Sequence, residues 1–533
     1  MATPLPGTAA AEVLRRNAVT LVGAALAVVA SLIGFFRAFA MDGHAMPAPL
    51  PGSGHGGAHD TMLRGMPLAD MPEMFVAGAG ILIAFTGALL SGRTGGVARR
   101  TTTPVAAGSR RRALVAVVAT AALTIDISKT STLGFVIPGM RAEYGITPSA
   151  ASLLAVGGLS GTATGALLFS RLADRIGRRS SYLIATLGFT VTSMCGCMAT
   201  FTGNVVMCFL MGVAVGGLAP MLITMLADLF PGGSRGPMVA GLSMVATAVG
   251  YLIASGSALW LEPTYGWRVL WLIGTPTGLG LALVTLLVPE RAPRTATTTE
   301  AAPAAPSPAT VQHPAAEQHR VAAARGSFTT PLQWLYAATV GLLTFGLTTW
   351  VPTLARAGGL SLTTANTLLT TVAVVMVPCA ALLALAYRRT GPIALAVRLA
   401  LCTAAILLVL TASGLADGVA WLSAAVLALS LFAVNTMAAV FLPIAADLAD
   451  TRGRGRATGT VSFFNRLGGL TGPLVLALLV STVTGVLLAV AVLALLCGAI
   501  AWYTGHRHRR HTRPVAHAPA ADTAPRRDLN SAP

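Results

Sequence analysis

The sequence is poor in charged residues and contains almost no lysine. Only 10% of its 533 residues are charged, compared with roughly 25% in soluble domains. Lys129 is the only lysine among the 36 basic residues, and 54% of all residues are hydrophobic. This shortage of charge excludes an ordinary soluble domain and predicts a protein embedded in a lipid bilayer.

Cysteines and catalytic patterns are scarce as well. The sequence contains no phosphate loop, nucleophile elbow or zinc-ligand spacing, so it predicts neither an enzyme nor a cofactor. All six cysteines fall within apolar runs, which favours small packing residues over disulfides or a metal site. They are Cys195, Cys197, Cys208, Cys379, Cys402 and Cys497.

Fourteen apolar runs are long enough to cross the bilayer as helices, which takes about 20 residues each. None shows the alternation of a barrel strand, and a helix satisfies its own backbone groups in lipid. The sequence therefore predicts an all-α membrane protein with fourteen spans. They lie near 17–41, 72–92, 113–138, 149–170, 181–200, 204–226, 238–260, 267–288, 332–353, 366–387, 392–413, 418–441, 457–480 and 482–503.

The arginines predict the orientation. The net charge of +18 comes largely from basic clusters at 93–112, 171–179 and 506–513, which all fall on one side if the spans alternate. The positive-inside rule makes that side cytoplasmic, with both termini inside, and clustering in loops argues against a nucleic-acid surface. The first run, preceded by Arg15 and Arg16, is either a retained span or a signal sequence; its length favours a span.

The chain divides into five parts. We expect two extra helices in 1–112, a six-helix half in 113–288, a cytoplasmic Ala/Pro/Thr-rich linker at 289–330, a second six-helix half in 331–503 and a basic tail in 504–533.

The two halves repeat one another. "ADLFPGGSRG" from Ala227 and "ADLADTRGRG" from Ala446 match at an offset of 446 − 227 = 219, and "DRIGR" at 174–178 matches "RRTGP" at 388–392 more weakly. Two parallel six-helix repeats predict a transporter with a substrate site at mid-membrane between them.

Five loop motifs resemble those of the major facilitator superfamily: "SRLADRIGRRS" at 170–180, "ADLFPGGSRG", "YGWR" at 265–268, "VPERAPR" at 288–294 and "ADLADTRGRGRATG". The sugar-porter and aromatic-acid proton symporter branches are the most similar. The resemblance implies a 6+6 fold in two pseudo-symmetric halves, here with two additional helices. Ser170 replaces the usual glycine, and Cys208 stands near a position where those branches often carry arginine.

The resemblance also implies a cytoplasmic gating motif, in which ion pairs at helix ends clamp the halves together in one state. The alternative is that the arginines only fix the topology. The motif residues are Asp174, Arg175, Gly177, Arg178, Arg179, Asp228, Arg235 and Arg454.

Asp126 is the only carboxylate that the sequence places at mid-membrane. Lys129 follows three residues later, so both side chains are expected on one face of the helix, toward the central pathway. We predict that Asp126 takes up and releases the coupling proton, with Lys129 tuning it. The alternative is a permanent structural ion pair.

Arg466 adds a second cation about ten residues into its span, and Asn435 is a further candidate for the lining. With Asp126 ionised, the two positive charges of Lys129 and Arg466 exceed its one negative charge, and an anionic substrate would balance the excess. Arginine can bind a carboxylate through two parallel hydrogen bonds. Arg466 could instead extend to the cytoplasmic surface or pair with a backbone carbonyl.

The loop from Met41 to Met74 contains six methionines together with His44, His55 and His59. Thioether and imidazole groups suit Cu(I), but no spacing defines a metal site here. Taken together, the sequence predicts a monomeric, multi-pass transporter in the plasma membrane. It would move a small organic solute, with an anion among the candidates, coupled to protons. A drug or metabolite efflux pump and a copper-related transporter or sensor are the alternatives.

Overall fold

The computed structural model describes residues 6–40, 63, 65–94, 109–230, 235–287, 331–351, 361–413, 420–448, 454–477 and 483–512. Within these ranges the chain is helical, with a single isolated bridge between Met66 and Met198. The predicted linker at 289–330, most of the outer loop and most of the tail lie outside the described residues.

Two N-terminal helices precede the first half of the repeat. They are α1 (Pro6–Ala40) and α2 (Pro72–Thr94). The first half contains α3 (Ser109–Tyr144), α4 (Pro148–Ile176), α5 (Arg178–Thr192), α6 (Phe201–Gly216), α7 (Leu218–Leu229), α8 (Arg235–Trp260), α9 (Glu262–Tyr265), α10 (Val269–Leu272) and α11 (Gly274–Leu283).

The second half contains α12 (Pro331–Val351), α13 (Leu362–Thr390), α14 (Pro392–Ala412), α15 (Ala420–Leu448), α16 (Arg454–Ala477) and α17 (Val483–Thr512). Eleven helices in the described part of the chain are long and apolar enough to cross a membrane. The other three predicted spans correspond to the short α5, to α10 with α11, and to the arginine-containing α16, so the count of fourteen stays a prediction.

The internal repeat is visible in how the helices begin and end. Gly177 and Gly391, which are related by the weaker repeat, both join two helices with positive φ angles of 90° and 83°. Glycine adopts this conformation at low cost, because it has no Cβ atom. The helices α8 and α16 both begin at the arginines that the 219-residue offset superposes, Arg235 and Arg454.

Matched glycines also pack against the first helix of each half. A Cβ atom on Gly250 of α8 would lie 2.8 Å from the backbone oxygen of Thr124 in α3. Gly469 of α16, at the same repeat position, is in equally tight contact with Phe345 of α12. Small residues at such crossings let membrane helices approach closely.

The extra hairpin of α1 and α2 packs on α5 of the first half through small and aliphatic side chains, among them Ala27, Ala84 and Leu187. The segment before α2 is tied to the same half, because the backbone of Met66 accepts from Ala199 N at 3.1 Å and donates to Cys197 O at 2.5 Å. The hairpin is therefore joined to the first half by both side-chain and backbone contacts.

Candidate functional site

A cavity of about 90 Å³ lies between the two halves. Its walls come from α3, α7 and α8 of the first half and from α12, α15 and α16 of the second. We call it the central cavity. It contains the sequence-predicted residues Asp126, Asn435 and Arg466.

The halves touch at both ends of this cavity. At the end that holds Gly177 and Gly391, here called the motif end, the hydroxyls of Thr224 and Thr458 lie 3.0 Å apart. At the opposite end, Asn366 Nδ2 donates to Glu262 Oε2 at 3.3 Å. Both contacts link a helix of the first half to a helix of the second.

Asp126 enters the central cavity from α3 and is only 3% exposed. Its Oδ1 atom is buried and has no hydrogen-bond partner. The neighbouring Thr130 donates to the backbone oxygen of Asp126, not to its carboxylate. An incompletely bonded carboxylate away from water is costly, so such a group in a cavity is available for a proton or for a cationic partner.

Arg466 enters the same cavity from α16, on the opposite half, and is 8% exposed. Its guanidinium carbon lies 4.7 Å from the ring centroid of Phe345, a cation–π contact, while Nε has no hydrogen-bond partner. The guanidinium is therefore held by an aromatic face and retains unused N–H donors.

The backbone of α16 is fixed near Arg466 by close packing on α12. Asn465 Nδ2 donates to Ala337 O at 2.9 Å, and Gly341 lies so close to the backbone of Asn465 that no Cβ atom would fit there. Trp350 Nε1 also donates to Pro473 O at 2.8 Å. These contacts hold Arg466 at a set depth in the bundle, away from either surface.

Asn435 lines the cavity from α15, and its side-chain amide donates to Leu431 O at 3.0 Å. The second amide hydrogen and the side-chain oxygen of Asn435 take no part in that bond. Several further polar side chains line the cavity without having been predicted. They are Thr130, Ser131, Ser243, Thr247, Thr344, Thr348 and Asn465. Their only sequence signal is a polar residue inside an apolar run, a signal shared by many hydroxyls that bond to their own helix.

Lys129 does not share the central cavity with the other predicted site residues. Its ammonium donates to Leu270 O of α10 at 2.8 Å, inside the first half, and Lys129 does not line the central cavity. No ion pair joins Asp126 to Lys129 among the described residues. The opposite charge that shares the cavity with Asp126 is Arg466.

Part of the predicted gating motif is assembled, but within one half. Arg178 donates to Asp228 at 2.8 Å, which joins the start of α5 to the end of α7. Arg235 donates to Ala227 O at 3.0 Å and to Phe230 O at 3.3 Å, which satisfies the end of α7. Arg175 is exposed at the end of α4, and Arg179 lies in the first turn of α5. The side chains of Asp174 and Arg454 lie outside the described residues, so a charged clamp between the halves remains a prediction.

Ser170, which replaces the usual glycine, has a partner that accommodates it. A Cβ atom on Gly459 of α16 would lie 2.8 Å from the Cβ of Ser170 in α4. The absence of a side chain at Gly459 therefore lets α16 approach Ser170 closely across the two halves.

Most of the predicted copper loop, including His44, His55 and His59, lies outside the described residues. Three of its methionines, Met66, Met71 and Met74, are described and are buried in an apolar cluster. No group of three or more histidine, cysteine or acidic side chains suited to a metal occurs in the described part of the chain.

The central cavity therefore combines one acid and one base, on opposite halves, with amides, hydroxyls and the rings of Phe345 and Phe441. This lining can bind an anion at Arg466, bind polar substituents, and contact an apolar ring.

Comparisons with known proteins identify transporters among the relatives of this chain. The chain is 33% identical to the gallate transporter of Pseudomonas putida over 261 residues, 44% of this chain and 57% of that protein. It is 29% identical to the 4-hydroxybenzoate transporter of Acinetobacter baylyi over 189 residues, 34% of this chain and 40% of that protein. The matched stretches thus span about half the length of these relatives.

A solved structure gives the fold. A D-xylose–proton symporter superposes with a TM-score of 0.55, covering 73% of this chain and 96% of that one, at 17% sequence identity. The family model of the Major Facilitator Superfamily matches residues 118–442, which confirms the resemblance based on the loop motifs. This family consists of transporters and not of enzymes, and the protein belongs to the Major Facilitator Superfamily.

Proposed function

We propose that this protein is a proton-coupled secondary transporter of a small organic anion, and that the anion is an aromatic carboxylate. The observation that carries the proposal is the placement of Asp126 and Arg466 in one cavity between the two halves. The names of the relatives, transporters of gallate and 4-hydroxybenzoate, support the substrate class.

Arg466 is the group that we assign to the substrate carboxylate. Its buried guanidinium can donate two parallel hydrogen bonds to a carboxylate, a strong and directional interaction. Phe345, which already lies against the guanidinium, offers an apolar face beside that position. The amides of Asn435 and Asn465 are placed to bind polar substituents of the ring.

Proton coupling follows from competition for Arg466. When Asp126 is ionised, its charge balances that of Arg466, so an incoming carboxylate would add an uncompensated negative charge to the cavity. When Asp126 is protonated, Arg466 is free to pair with the substrate. Proton and anion therefore bind together, and a loaded cavity carries the same net charge as an empty one. Because charge in low-dielectric surroundings is costly, both of these states can cross between the two access conformations.

Alternating access then requires the halves to rock about the central cavity. The contact between Thr224 and Thr458 would break when the motif end opens, and the contact between Asn366 and Glu262 would break when the opposite end opens. We place the motif end and both termini in the cytoplasm and the protein in the plasma membrane, with 113–288 and 331–503 as the rocking halves.

Proteoliposomes containing the full chain test the proposal. With an alkaline interior, labelled 4-hydroxybenzoate or gallate should accumulate above its equilibrium level, and a protonophore should abolish the accumulation. Unlabelled benzoate should compete, whereas uncharged benzamide should not, because it has no carboxylate for Arg466. Reversing the gradient in the same vesicles measures efflux, so the assay covers both directions of transport.

Asp126→Asn should abolish gradient-driven accumulation. Asp70→Asn is the matched control, because it makes the same chemical change at an exposed residue outside the bundle core. Gradient-driven accumulation that persists in Asp126→Asn would remove the coupling role of Asp126.

A further inference from the structure

A second cavity lies inside the first half, separate from the central one. Its volume is about 30 Å³, and it is lined by residues of α3, α4, α6 and α10. Lys129 and Trp271 line it together with apolar and sulfur-containing side chains such as Leu133, Cys208 and Met211. We call it the lysine cavity.

The lysine cavity has unused hydrogen-bond donors. The Lys129 ammonium, 3% exposed, carries three N–H groups, and its hydrogen bond goes to Leu270 O. Trp271 is 1% exposed, and its indole Nε1 has no hydrogen-bond partner at all. The hydroxyl of Thr162, on the same wall, donates to its own helix at Leu159 O. Lys129 and Trp271 therefore both carry N–H donors without a hydrogen-bond partner in this cavity.

The charge of Lys129 is also not balanced by any carboxylate in the described part of the chain. The ion pairs there join Arg37 to Glu73, Arg178 to Asp228 and Arg268 to Glu143, and Asp126 lies in the central cavity with Arg466. A buried cation without a counter-charge is costly.

Gly274 of α11 leaves space for the Lys129 side chain. A Cβ atom on Gly274 would lie 3.2 Å from Lys129 Cε and in closer conflict with Ser193. A larger residue at position 274 would therefore press on the lysine stem.

We propose that the lysine cavity binds one small monovalent inorganic anion of the size of chloride, held by Lys129 Nζ and Trp271 Nε1. A volume of about 30 Å³ holds two or three particles of the size of water, since each needs about 10–15 Å³. This disfavours an organic acid, and phosphate and sulfate as well. The apolar and thioether walls suit a polarizable halide better than a strongly hydrated oxyanion.

The bound anion would neutralise Lys129 one helical turn from Asp126. Thr130 lines both cavities and is the residue that separates them on α3. The anion is thus a fixed counter-ion of the first half and not a transported substrate, and this proposal does not depend on the proposed function.

The test measures the thermal stability of the purified full chain in detergent, without any transport substrate. Chloride replaces gluconate at constant ionic strength, and bromide is the second probe. A ligand that binds only the folded state raises the Tm by an amount that grows with the logarithm of its concentration above Kd, so both halides should raise it by a few degrees. The midpoint is here the chloride concentration that gives half of the rise seen in the wild type at the highest chloride tested.

Lys129→Met should lose the halide effect. Trp271→Phe keeps the ring and removes the N–H donor, so its midpoint should move to roughly tenfold higher chloride, the equivalent of one lost hydrogen bond to an ion. Arg466→Gln, in the central cavity, should keep the wild-type midpoint.

Three results would each overturn the proposal: no halide-specific rise in the wild type, an unchanged rise in Lys129→Met, or loss of the rise in Arg466→Gln. If Lys129→Met does not fold, Trp271→Phe decides, because an unchanged midpoint in that variant contradicts the proposed site.

Discussion

At the residue scale, two opposite charges on different helices define the central cavity. Asp126 and Arg466 could each be identified from the sequence as charged residues deep in an apolar run, because such residues are rare and normally face a cavity or a partner. Their meeting in one cavity could not be predicted, since it depends on how α3 and α16 face one another across the two halves.

Lys129 shows the limit of reasoning from spacing alone. Residues three apart on a helix are offset by about 60° around its axis, so they share a face only loosely. The helix α3 has packing partners on two sides, and this offset is enough to direct Asp126 to the central cavity and Lys129 to α10.

Substitution of Arg466 should weaken substrate binding more than it slows transport at saturation. Arg466→Lys keeps the charge and loses the paired N–H donors, so we expect KM for the aromatic acid to rise roughly tenfold. Arg466→Gln should raise it further. Initial rates of uptake across a substrate series measure this, with the exposed Arg112→Gln as control. A KM unchanged in Arg466→Gln would exclude the guanidinium as the carboxylate site.

Arg268 is predicted to matter for stability and not for transport chemistry. Its buried guanidinium donates to Gly196 O and Met198 O at 2.8 Å each and to Glu143 Oε1 at 2.5 Å. Arg268→Gln should lower the free energy of unfolding by roughly 2 kcal/mol or more, because it removes the buried hydrogen bond to Gly196 O and the ion pair with Glu143. Thermal unfolding in detergent checks this. Glu143→Gln, which retains an oxygen acceptor on a partly exposed side chain, should lower the free energy of unfolding by less than Arg268→Gln does. An equal or larger decrease in Glu143→Gln would contradict the structural role assigned to the Arg268 hydrogen bonds.

At the element scale, the helices and the repeat were readable from the sequence, whereas the contacts between helices were not. The apolar runs predicted spans from about 238 and 457, three residues after the points where α8 and α16 begin. The break between α6 and α7 and the short α10 and α11 carry no clear signal, because a continuous apolar run fits a broken helix as well as a straight one.

The crossing of α4 and α16 gives a prediction at this scale. Gly459→Ala should push the two helices apart, because its new Cβ would lie 2.8 Å from that of Ser170. We expect a lower Tm. We also expect the motif end to open more readily, so that a cysteine introduced there reacts faster with a thiol reagent. The double variant Ser170→Gly with Gly459→Ala should recover most of the loss, since it moves the methyl group to the other helix. Losses that simply add would show that the two residues do not share one contact.

At the scale of the whole molecule, the first half, with its attached hairpin, and the second half meet around the central cavity. In the described part of the chain, the hairpin of α1 and α2 packs on α4, α5 and α11 of the first half, and the Met66 segment is hydrogen-bonded to the same half. It should therefore move with that half as one body during the transport cycle.

Disulfide cross-links test this division. Oxidation of a Thr224→Cys, Thr458→Cys pair should lock the motif end and stop transport, because the native hydroxyls lie 3.0 Å apart on different halves. A reductant should restore transport. An Ala84→Cys, Leu187→Cys pair, between hairpin and first half, should cross-link without loss of transport. Transport that stops in the second pair would mean that the hairpin moves against the first half.

The most direct measurement follows protons themselves. Vesicles containing a trapped pH indicator, with no initial pH gradient, receive aromatic acid on the outside, and wild-type protein should acidify the interior as the anion enters. Asp126→Asn should acidify the interior no faster than protein-free vesicles, in which only the undissociated acid crosses the lipid. It should still exchange labelled for unlabelled substrate across the membrane, because Arg466 remains in place to bind the carboxylate. Acidification at the wild-type rate in Asp126→Asn would contradict the account, since the proton would then travel without Asp126.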